Sequence, residues 1–262
     1  MSSLNDSSTV DVRKFGDRLQ TELSACAHLQ EAAQKCARLL YEEFRESVVL
    51  ARVFVTLPFQ ELAPPGKAFV NELADAKGLL PLLREDTQVL SLMGTYGAEA
   101  EWNDRLRSRG HLGIPLLSSS FIESIPMVAR MMSDMGIGSD WFDKLEPDIL
   151  VRSLGRAAGV FYVRDAKTWL DRQNRKIVSA QDFVEAHDVK TVFGLGGSYL
   201  NGSFVTVIIF TRETLEQSQV ESFMSLVNTF QGATIGLVMR GSIFALASPQ
   251  PAPPAKTKAS AR

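Results

Sequence analysis

The sequence contains little of the chemistry that catalytic and metal-binding sites use most often. It has two cysteines, Cys26 and Cys36, and three histidines among 262 residues. The histidines are His28, His111 and His187, and none stands in a ligand spacing with Cys, Asp or Glu that would make a zinc site. The sequence therefore predicts no metal site and no catalytic residue, and it leaves any cofactor unknown.

Long apolar runs and an excess of one charge are also missing. No apolar stretch reaches the roughly 18 residues that a membrane-spanning helix needs. Residues 1–12 are polar and acidic, which is not the pattern of a secretory signal peptide. The formal net charge of −2 provides no general attraction to nucleic acid or to anionic membranes. We therefore expect a cytoplasmic protein with neither nucleic acid nor membrane as a partner.

The first part of the chain has helical periodicity. Apolar residues recur at helical spacing from Phe15 to Phe44, and residues 17–47 contain neither proline nor glycine. This pattern predicts one long amphipathic helix. Both cysteines fall within it, and ten residues correspond to about 15 Å of helix rise. A disulfide between them is excluded at that separation, so we expect two buried, reduced thiols.

Several β-branched and aromatic runs follow, bounded by turn residues. A shorter helix is expected from about 67 to 80, and a long helix opens at Thr214 with Gln217 in a capping box. Asn201-Gly202 predicts a tight hairpin turn, because these residues supply positive φ angles. The expected strands cover residues 48–57, 88–95, 111–116, 160–164, 190–196 and 203–211.

These elements predict a single α/β domain of the α+β type, with a mainly antiparallel sheet and the long terminal helices packed together on one side. We place the domain at residues 15–247. Residues 1–14 form a polar end that we expect to be disordered. Residues 248–262 are rich in proline and alanine, carry three cations and no acids, and predict a disordered tail.

Two helix starts compete after Ser118. Ser120 with Glu123 forms a capping-box pattern, but Pro126 would then lie inside the helix. Capping from Ser124 instead puts Pro126 in the first turn, where its missing N–H costs nothing. We favour the second start.

Two motifs superficially resemble functional loops. The glycines at 194–197 suggest a phosphate-binding loop, but a strand rather than a helix follows them and no Gly-Lys-Ser/Thr appears. A bulged hairpin with close packing is the simpler interpretation. The serine run at 118–120 lacks the Gly-x-Ser-x-Gly elbow and an identifiable histidine base, so capping and turn formation explain it better.

Four methionines crowd the helix after Ser124, namely Met127, Met131, Met132 and Met135. Methionine is flexible and polarizable, which suits an adaptable apolar pocket or a partner surface. Filling of the core explains the same cluster and is the interpretation we favour.

Three sequence strings resemble a known module. They are HLGIPLLS from His111, the tripeptide Ile125-Pro126-Met127, and VFGLGGSYLNGSFVTVIIF from Val192. Together they resemble the GAF-like sensory domain that precedes PAS and histidine-kinase regions in some bacterial multidomain sensors. The resemblance covers about residues 25–238. One departure is the hairpin tip, where Leu200 and Asn201 stand in place of the Pro-Asp expected before Gly202.

The resemblance implies a central antiparallel sheet, with outer helices on one face and a ligand pocket beneath loops and short helices on the other. It also implies signalling through the terminal helices, commonly in a homodimer. Because no kinase, cyclase or DNA-binding segment follows residue 238, we expect output through another chain, a separate kinase or other signalling protein. The cysteine positions do not fit bilin-binding or methionine-sulfoxide-reducing members, and the asparagine-lysine-phenylalanine-aspartate signature of cyclic-nucleotide members is absent.

We therefore expect a non-enzymatic module that senses an unknown small molecule. Two alternatives stay open. One is an interaction or scaffold domain whose pocket has collapsed, and the other is an enzyme of unrecognised class whose reactive groups converge from distant positions. The expected pocket residues combine apolar walls with a few polar groups, as ligand sites usually do; they are His111, Met127, Met131, Phe161, Tyr162 and Phe183.

Overall fold

The computed structural model describes residues 3–107, 111–138 and 147–245. In these ranges six strands form one antiparallel sheet in the order β3-β2-β1-β6-β5-β4. The strands are β1 (Val48–Pro58), β2 (Gln88–Gly97), β3 (Gly113–Pro115), β4 (Gly159–Val163), β5 (Thr191–Ser198) and β6 (Phe204–Thr211). The predicted strands and the antiparallel sheet are confirmed. The expected tail at 248–262 lies outside the described residues.

The helices divide between the two faces of the sheet. Helices α1, α2 and α9 pack together on one face, as expected of the terminal helices. The shorter helices and the loops between them cover part of the other face. The bounds are α1 (Thr9–Ser24), α2 (Leu29–Glu43), α3 (Pro64–Ala76), α4 (Ser119–Glu123), α5 (Pro126–Asp134), α6 (Pro147–Leu154), α7 (Gln181–Ala186), α8 (Gln217–Glu221) and α9 (Met224–Met239).

Side chains that point alternately to the two faces of the sheet produce two hydrophobic cores. In β1, Ala51, Val53 and Val55 are buried against the long helices, while Leu50 and Phe54 belong to the core on the opposite face. This follows from the period of two in a strand, which sends successive side chains to opposite faces. Both faces of the central strands are covered, which explains why β1 and β6 are apolar almost throughout.

The prediction of one long helix over the first part of the chain is wrong. The helix ends at Ser24, and α2 begins at Leu29 after a short connection that contains Cys26. The first N–H groups of α2 donate to the chain that follows α9: Leu29 N to Ser242 O at 2.8 Å and Gln30 N to Ile243 O at 2.9 Å. These tertiary hydrogen bonds satisfy backbone N–H groups at the start of α2, where no side chain caps the helix.

The structure also corrects the expected disorder at residues 1–14. Helix α1 begins at Thr9, and Ser8 caps it through a capping box with Asp11. Leu4 is buried, and its N–H donates to Ser47 Oγ at 2.9 Å. The described part of the N-terminus is therefore a packed element of the domain.

The hairpin between β5 and β6 differs in detail from the prediction. Tyr199 N donates to Ser203 O and Gly202 N donates to Tyr199 O, so the connection is a three-residue loop. Gly202 has a φ of +84°, whereas Asn201 is not among the residues with positive φ. The turn therefore needs one left-handed residue and not two.

Two helical segments are interrupted where one helix was expected. Thr214 does not cap the terminal helix; Glu216 caps α8, and α9 begins separately at Met224. The alternative cap at Ser120 is wrong, because Ser118 caps α4 and Ser120 lies inside that helix. The expected place of Pro126 in the first turn of the following helix, α5, is confirmed. The predicted cap at Ser124 is wrong, since the residue before α5 is Ile125.

Candidate functional site

A cavity of about 350 Å³ lies against the sheet face opposite the long helices. Strands β1, β2, β3 and β6 form its floor, while α5, α7 and the segment 101–107 contribute its walls. This volume is at the lower end of the roughly 300–1,000 Å³ of small-molecule sites. The sheet residues of the floor other than Arg52 are apolar: Leu50, Phe54, Leu90, Ile114, Ile208 and Phe210.

Arg52 stands in the middle of this apolar floor. It lies on β1, opposite Ile208 of β6 and Thr95 of β2 in the antiparallel ladders. The side chain is partly buried, and burial lowers the pKa of its guanidinium to about 10. At neutral pH the group is still protonated, so the cavity floor carries a positive charge in a surrounding of low polarity.

Aromatic rings form one wall of the cavity. The Trp102 ring meets the Phe183 ring edge-on at 5.4 Å between centroids, and it meets the His187 ring at 4.8 Å. Phe183 in turn contacts Phe210 of β6 at 5.4 Å. Edge-to-face rings at these distances are mutually favourable, so the wall is a packed unit anchored to the sheet.

The mouth of the cavity is more polar than its floor. Glu101 and Arg107 are exposed, and His111 is partly buried just before β3. The cavity thus has ionisable groups of both signs near solvent and a single guanidinium among the apolar floor residues.

Four of the six residues expected at the pocket line the cavity together: His111, Met127, Met131 and Phe183. Met131 is 1% exposed and belongs to the core of this face, whereas Met127 and Phe183 are partly buried beside it. The methionine helix therefore fills the core with some side chains and borders the cavity with others. Met132 and Met135 also belong to this core, so three of the four methionines are core residues.

Phe161 and Tyr162 lie elsewhere, so the expected set needs correction. Phe161 is fully buried on β4, and a Cβ added to Gly194 would lie 3.4 Å from its ring. Tyr162 belongs to the opposite face of the sheet, where its hydroxyl donates to Leu215 O at 2.6 Å. Adjacent residues of one strand cannot face the same cavity, because their side chains point to opposite faces.

The glycine cluster has a packing role in the structure. A Cβ at Gly196 would lie 2.5 Å from Met135 Sδ, and one at Gly197 would lie 2.8 Å from Gln231 Oε1. Close packing is therefore confirmed as the reason for these glycines. The expected bulge is wrong, since the register between β5 and β6 runs without a shift from Thr191 to Ser198.

The two cysteines are free and buried. Burial raises the pKa of the Cys36 thiol to about 12 and also raises that of Cys26. Both thiols are consequently protonated at neutral pH, and neither is a nucleophile under those conditions. Within the described residues, no group of three or more His, Cys, Asp or Glu side chains is placed so that it could hold a metal ion, and no helix is long and apolar enough to cross a membrane.

Sequence reasoning missed Arg52, Trp102 and His187. The signal for Arg52 is present in the sequence, since it is the charged residue within the otherwise apolar run VVLARVFVTL from Val48 to Leu57. Burying a charge is costly unless the charge is paired and hydrogen-bonded, so an arginine inside a central strand marks a candidate site. Trp102 and His187 lie 85 positions apart in the chain, and only the tertiary fold brings their rings together.

Comparison with known proteins gives matches in solved structures only. No protein-family model matches the chain, and no curated protein matches it. Among solved structures, the GAF domain from a phosphoenolpyruvate-protein phosphotransferase of Coxiella burnetii is similar with 11% identity and a TM-score of 0.48. The match covers 90% of this chain and 100% of that one.

Two GAF domains from a cyanobacterial phytochrome are also similar, one binding phycoerythrobilin and one binding phycocyanobilin. Each is 10% identical, with TM-scores of 0.43 and 0.44. The matches cover 87% of this chain and 97% and 96% of those chains. At such low identity and TM-score, the ligands of these proteins cannot be transferred to this chain.

Proposed function

We propose that this chain is a non-enzymatic sensory or regulatory module that binds a small molecule in the cavity on the sheet. The observation that carries this proposal is the cavity itself, about 350 Å³ with apolar walls and one guanidinium on its floor. Ligand sites generally combine a mostly apolar lining with a few polar groups that orient the ligand. The ligand contacts we assign are His111, Met127, Met131 and Phe183, together with Arg52 and Trp102.

The sheet offers a route from the cavity to the long helices. Arg52 faces the cavity, while its neighbours Ala51 and Val53 pack against the opposite core. A ligand that binds one arrangement of β1 more tightly than another would therefore shift the packing of α2, which lies against β1 and β2. Such a difference in affinity is the physical requirement for regulation.

The output would pass through another protein, either a separate kinase or another signalling component, in a cytoplasmic setting typical of bacterial sensors. A homodimer through α1 and α9 would place the two copies of these helices side by side. The apolar residues of α1 and α9 are largely buried within the chain, for example Phe15, Leu19 and Phe230. Sedimentation at tens of micromolar tests the homodimer. A monomer at that concentration would remove the homodimer from the proposal.

The cavity favours ligand binding over the alternative of a scaffold domain with a collapsed pocket. In a collapsed pocket the core side chains would fill the space above the sheet, but the described residues leave about 350 Å³ open there. The enzyme alternative has no specific observation in its favour.

Native mass spectrometry tests the proposal with a blocked variant. Val128 lines the cavity from α5 and is 4% exposed, so Val128→Trp should fill part of the space. Leu200→Trp is the matched control, because Leu200 is 85% exposed at the hairpin tip. We expect protein purified from its own host to retain a small molecule in the wild type and the control but not in Val128→Trp. Equal retention in all three, or none in any, would contradict a ligand in this cavity.

A further inference from the structure

We infer that the ligand is a small aromatic carboxylic acid, held with its carboxylate on Arg52 and its ring against the Trp102–Phe183–His187 wall. This inference rests on the proposed function and deepens it by naming the class of ligand. The cavity floor supplies the anion contact and the wall supplies the ring contact.

The position of Arg52 favours an anion. Arg52 lines the cavity from the central strand, among floor residues that are apolar. The guanidinium group has five N–H donors in a planar fork, so it can keep a contact within the protein and still donate to a ligand. A carboxylate matches this fork with two parallel hydrogen bonds, which are stronger in a poorly solvated site than at the surface.

The wall favours an aromatic ring on the ligand. Trp102, Phe183 and His187 present ring edges and faces to one another at centroid distances between 4.8 and 5.5 Å. A flat ring lying against this unit would extend the same edge-to-face arrangement. Phe54 and Phe210 on the floor add further aromatic surface.

The size of the cavity limits the ligand to one or two fused rings. A volume of about 350 Å³ is near the smallest of ordinary ligand sites. A single guanidinium at the floor suits one negative charge. The second guanidinium, on Arg107, is exposed at the mouth, where its Nε lies 3.7 Å from Asp104 Oδ2.

The test compares 2-naphthoate with 2-naphthamide, which share shape and ring but differ in charge. Binding to the full chain is followed by isothermal titration calorimetry and by quenching of tryptophan fluorescence, with Trp102→Phe identifying the contribution of Trp102. We expect 2-naphthoate to bind at least about tenfold more tightly than 2-naphthamide, the difference expected of hydrogen bonds to charged groups. Most of the quenching should be lost in Trp102→Phe.

Two variants assign the preference to Arg52. Arg52→Met should bring the two affinities within about twofold of each other, while Arg107→Gln, the matched control at the exposed mouth, should keep most of the preference. If Arg52→Met fails to fold, Arg52→Lys is used instead. This variant should weaken the binding of 2-naphthoate but not that of 2-naphthamide, because lysine cannot offer two parallel donors.

Equal binding of acid and amide to the wild type, lost in Val128→Trp, would overturn the anion inference and leave the proposed function standing. No binding of either probe at millimolar concentration would also overturn this ligand class, and the native mass measurement would then judge the proposed function on its own. A preference for the acid that survives Arg52→Met would show that another cation holds the carboxylate.

Discussion

Gly94 of β2 lies directly beneath Ala33 of α2. A Cβ atom added to Gly94 would be 2.3 Å from both the carbonyl carbon and the carbonyl oxygen of Ala33. Strand and helix therefore meet backbone to backbone at this point, closer than any side chain would allow. The contact lies on the sheet face opposite the cavity, where movement of β1 and β2 would reach the long helices.

Substitution of Gly94 should damage this contact severely. In Gly94→Ala the backbone of α2 must move away from the sheet, because a backbone atom cannot change rotamer to make room. We expect a loss of about 3 kcal/mol or more in the free energy of unfolding, at or above the usual cost of overpacking. Urea denaturation measures this change.

Gly16→Ala is the matched control for that measurement. Gly16 is buried inside α1, and an added Cβ would meet Thr229 Oγ1 at 3.6 Å, an ordinary contact. Alanine is favoured over glycine in a helix, so this variant should gain about 0.5–1 kcal/mol. A loss in Gly94→Ala no larger than 1 kcal/mol would mean that the helix can shift at little cost, which would contradict a rigid contact.

Two glycines, one in the hairpin and one at the end of α5, distinguish the two costs of replacing a glycine, which are backbone strain and steric overlap. Gly202 and Gly136 have nearly equal φ angles, +84° and +83°. A Cβ at Gly202 would lie 2.6 Å from Val151 Cγ1, whereas one at Gly136 would meet nothing within 4 Å. Gly136→Ala should therefore cost about 1 kcal/mol for the backbone alone, and Gly202→Ala should cost more. Thermal unfolding of both variants checks this order, and equal losses would show that α6 yields freely at Val151.

A double-mutant cycle tests the contact between the hairpin and α9. Tyr199 OH and Thr234 Oγ1 lie 2.7 Å apart in the core, and Thr234 itself donates to Phe230 O at 2.6 Å. Tyr199 therefore donates this bond, and burial raises the pKa of its phenol so that it keeps the proton. Tyr199→Phe should cost about 1 kcal/mol, and its effect should couple to that of Thr234→Val by about 0.5–1.5 kcal/mol. Additive losses would contradict the bond.

The charge of Arg52 should lower stability at neutral pH. Its pKa falls to about 10 because burial disfavours the charged form. Below pH 10 the arginine is charged in both the folded and the unfolded chain, so the whole cost of burying the charge is present there. A pKa lowered by burial means that folding disfavours the charged form, so we expect Arg52→Met, which removes the charge, to raise the free energy of unfolding at pH 7 by about 1–3 kcal/mol.

The lowered pKa of Arg52 also predicts how the free energy of unfolding changes with pH. Above about pH 10 the unfolded chain binds more protons at this site than the folded chain, so the wild type gains stability relative to Arg52→Met as pH rises. The difference between the two proteins should therefore narrow from pH 8 to pH 11 in urea titrations. A wild type that is more stable than Arg52→Met at pH 7 by about 2 kcal/mol would identify the arginine as a structural ion and remove the reason to assign it to a ligand.

Much of the fold could be predicted because its signals are local. Strand β1 and the hairpin strands β5 and β6 are apolar runs bounded by turn residues, and their bounds agree with the prediction within about two residues. The break between α1 and α2 could not be predicted in this way. It depends on carbonyl oxygens of Ser242 and Ile243, which accept hydrogen bonds from a helix more than 200 positions earlier.

The candidate site was only partly accessible to sequence reasoning for a similar physical reason. The string at His111 and the methionine helix indicated the face of the sheet that carries the cavity, and His111, Met127 and Met131 line it. Phe161 and Tyr162 were grouped by adjacency, although the pleat of a strand sends them to opposite faces. The aromatic wall depends on contacts between distant parts of the chain, which only the folded structure shows.

Ligand-observed NMR with a library of small aromatic and aliphatic molecules tests the central claim most directly. Saturation transfer is recorded for the wild type, for Val128→Trp and for Leu200→Trp at equal concentration. A ligand cavity on the sheet predicts hits that appear with the wild type and Leu200→Trp, disappear with Val128→Trp, and contain a majority of aromatic acids. The same hits from all three proteins, or none from the wild type, would contradict a ligand-binding cavity.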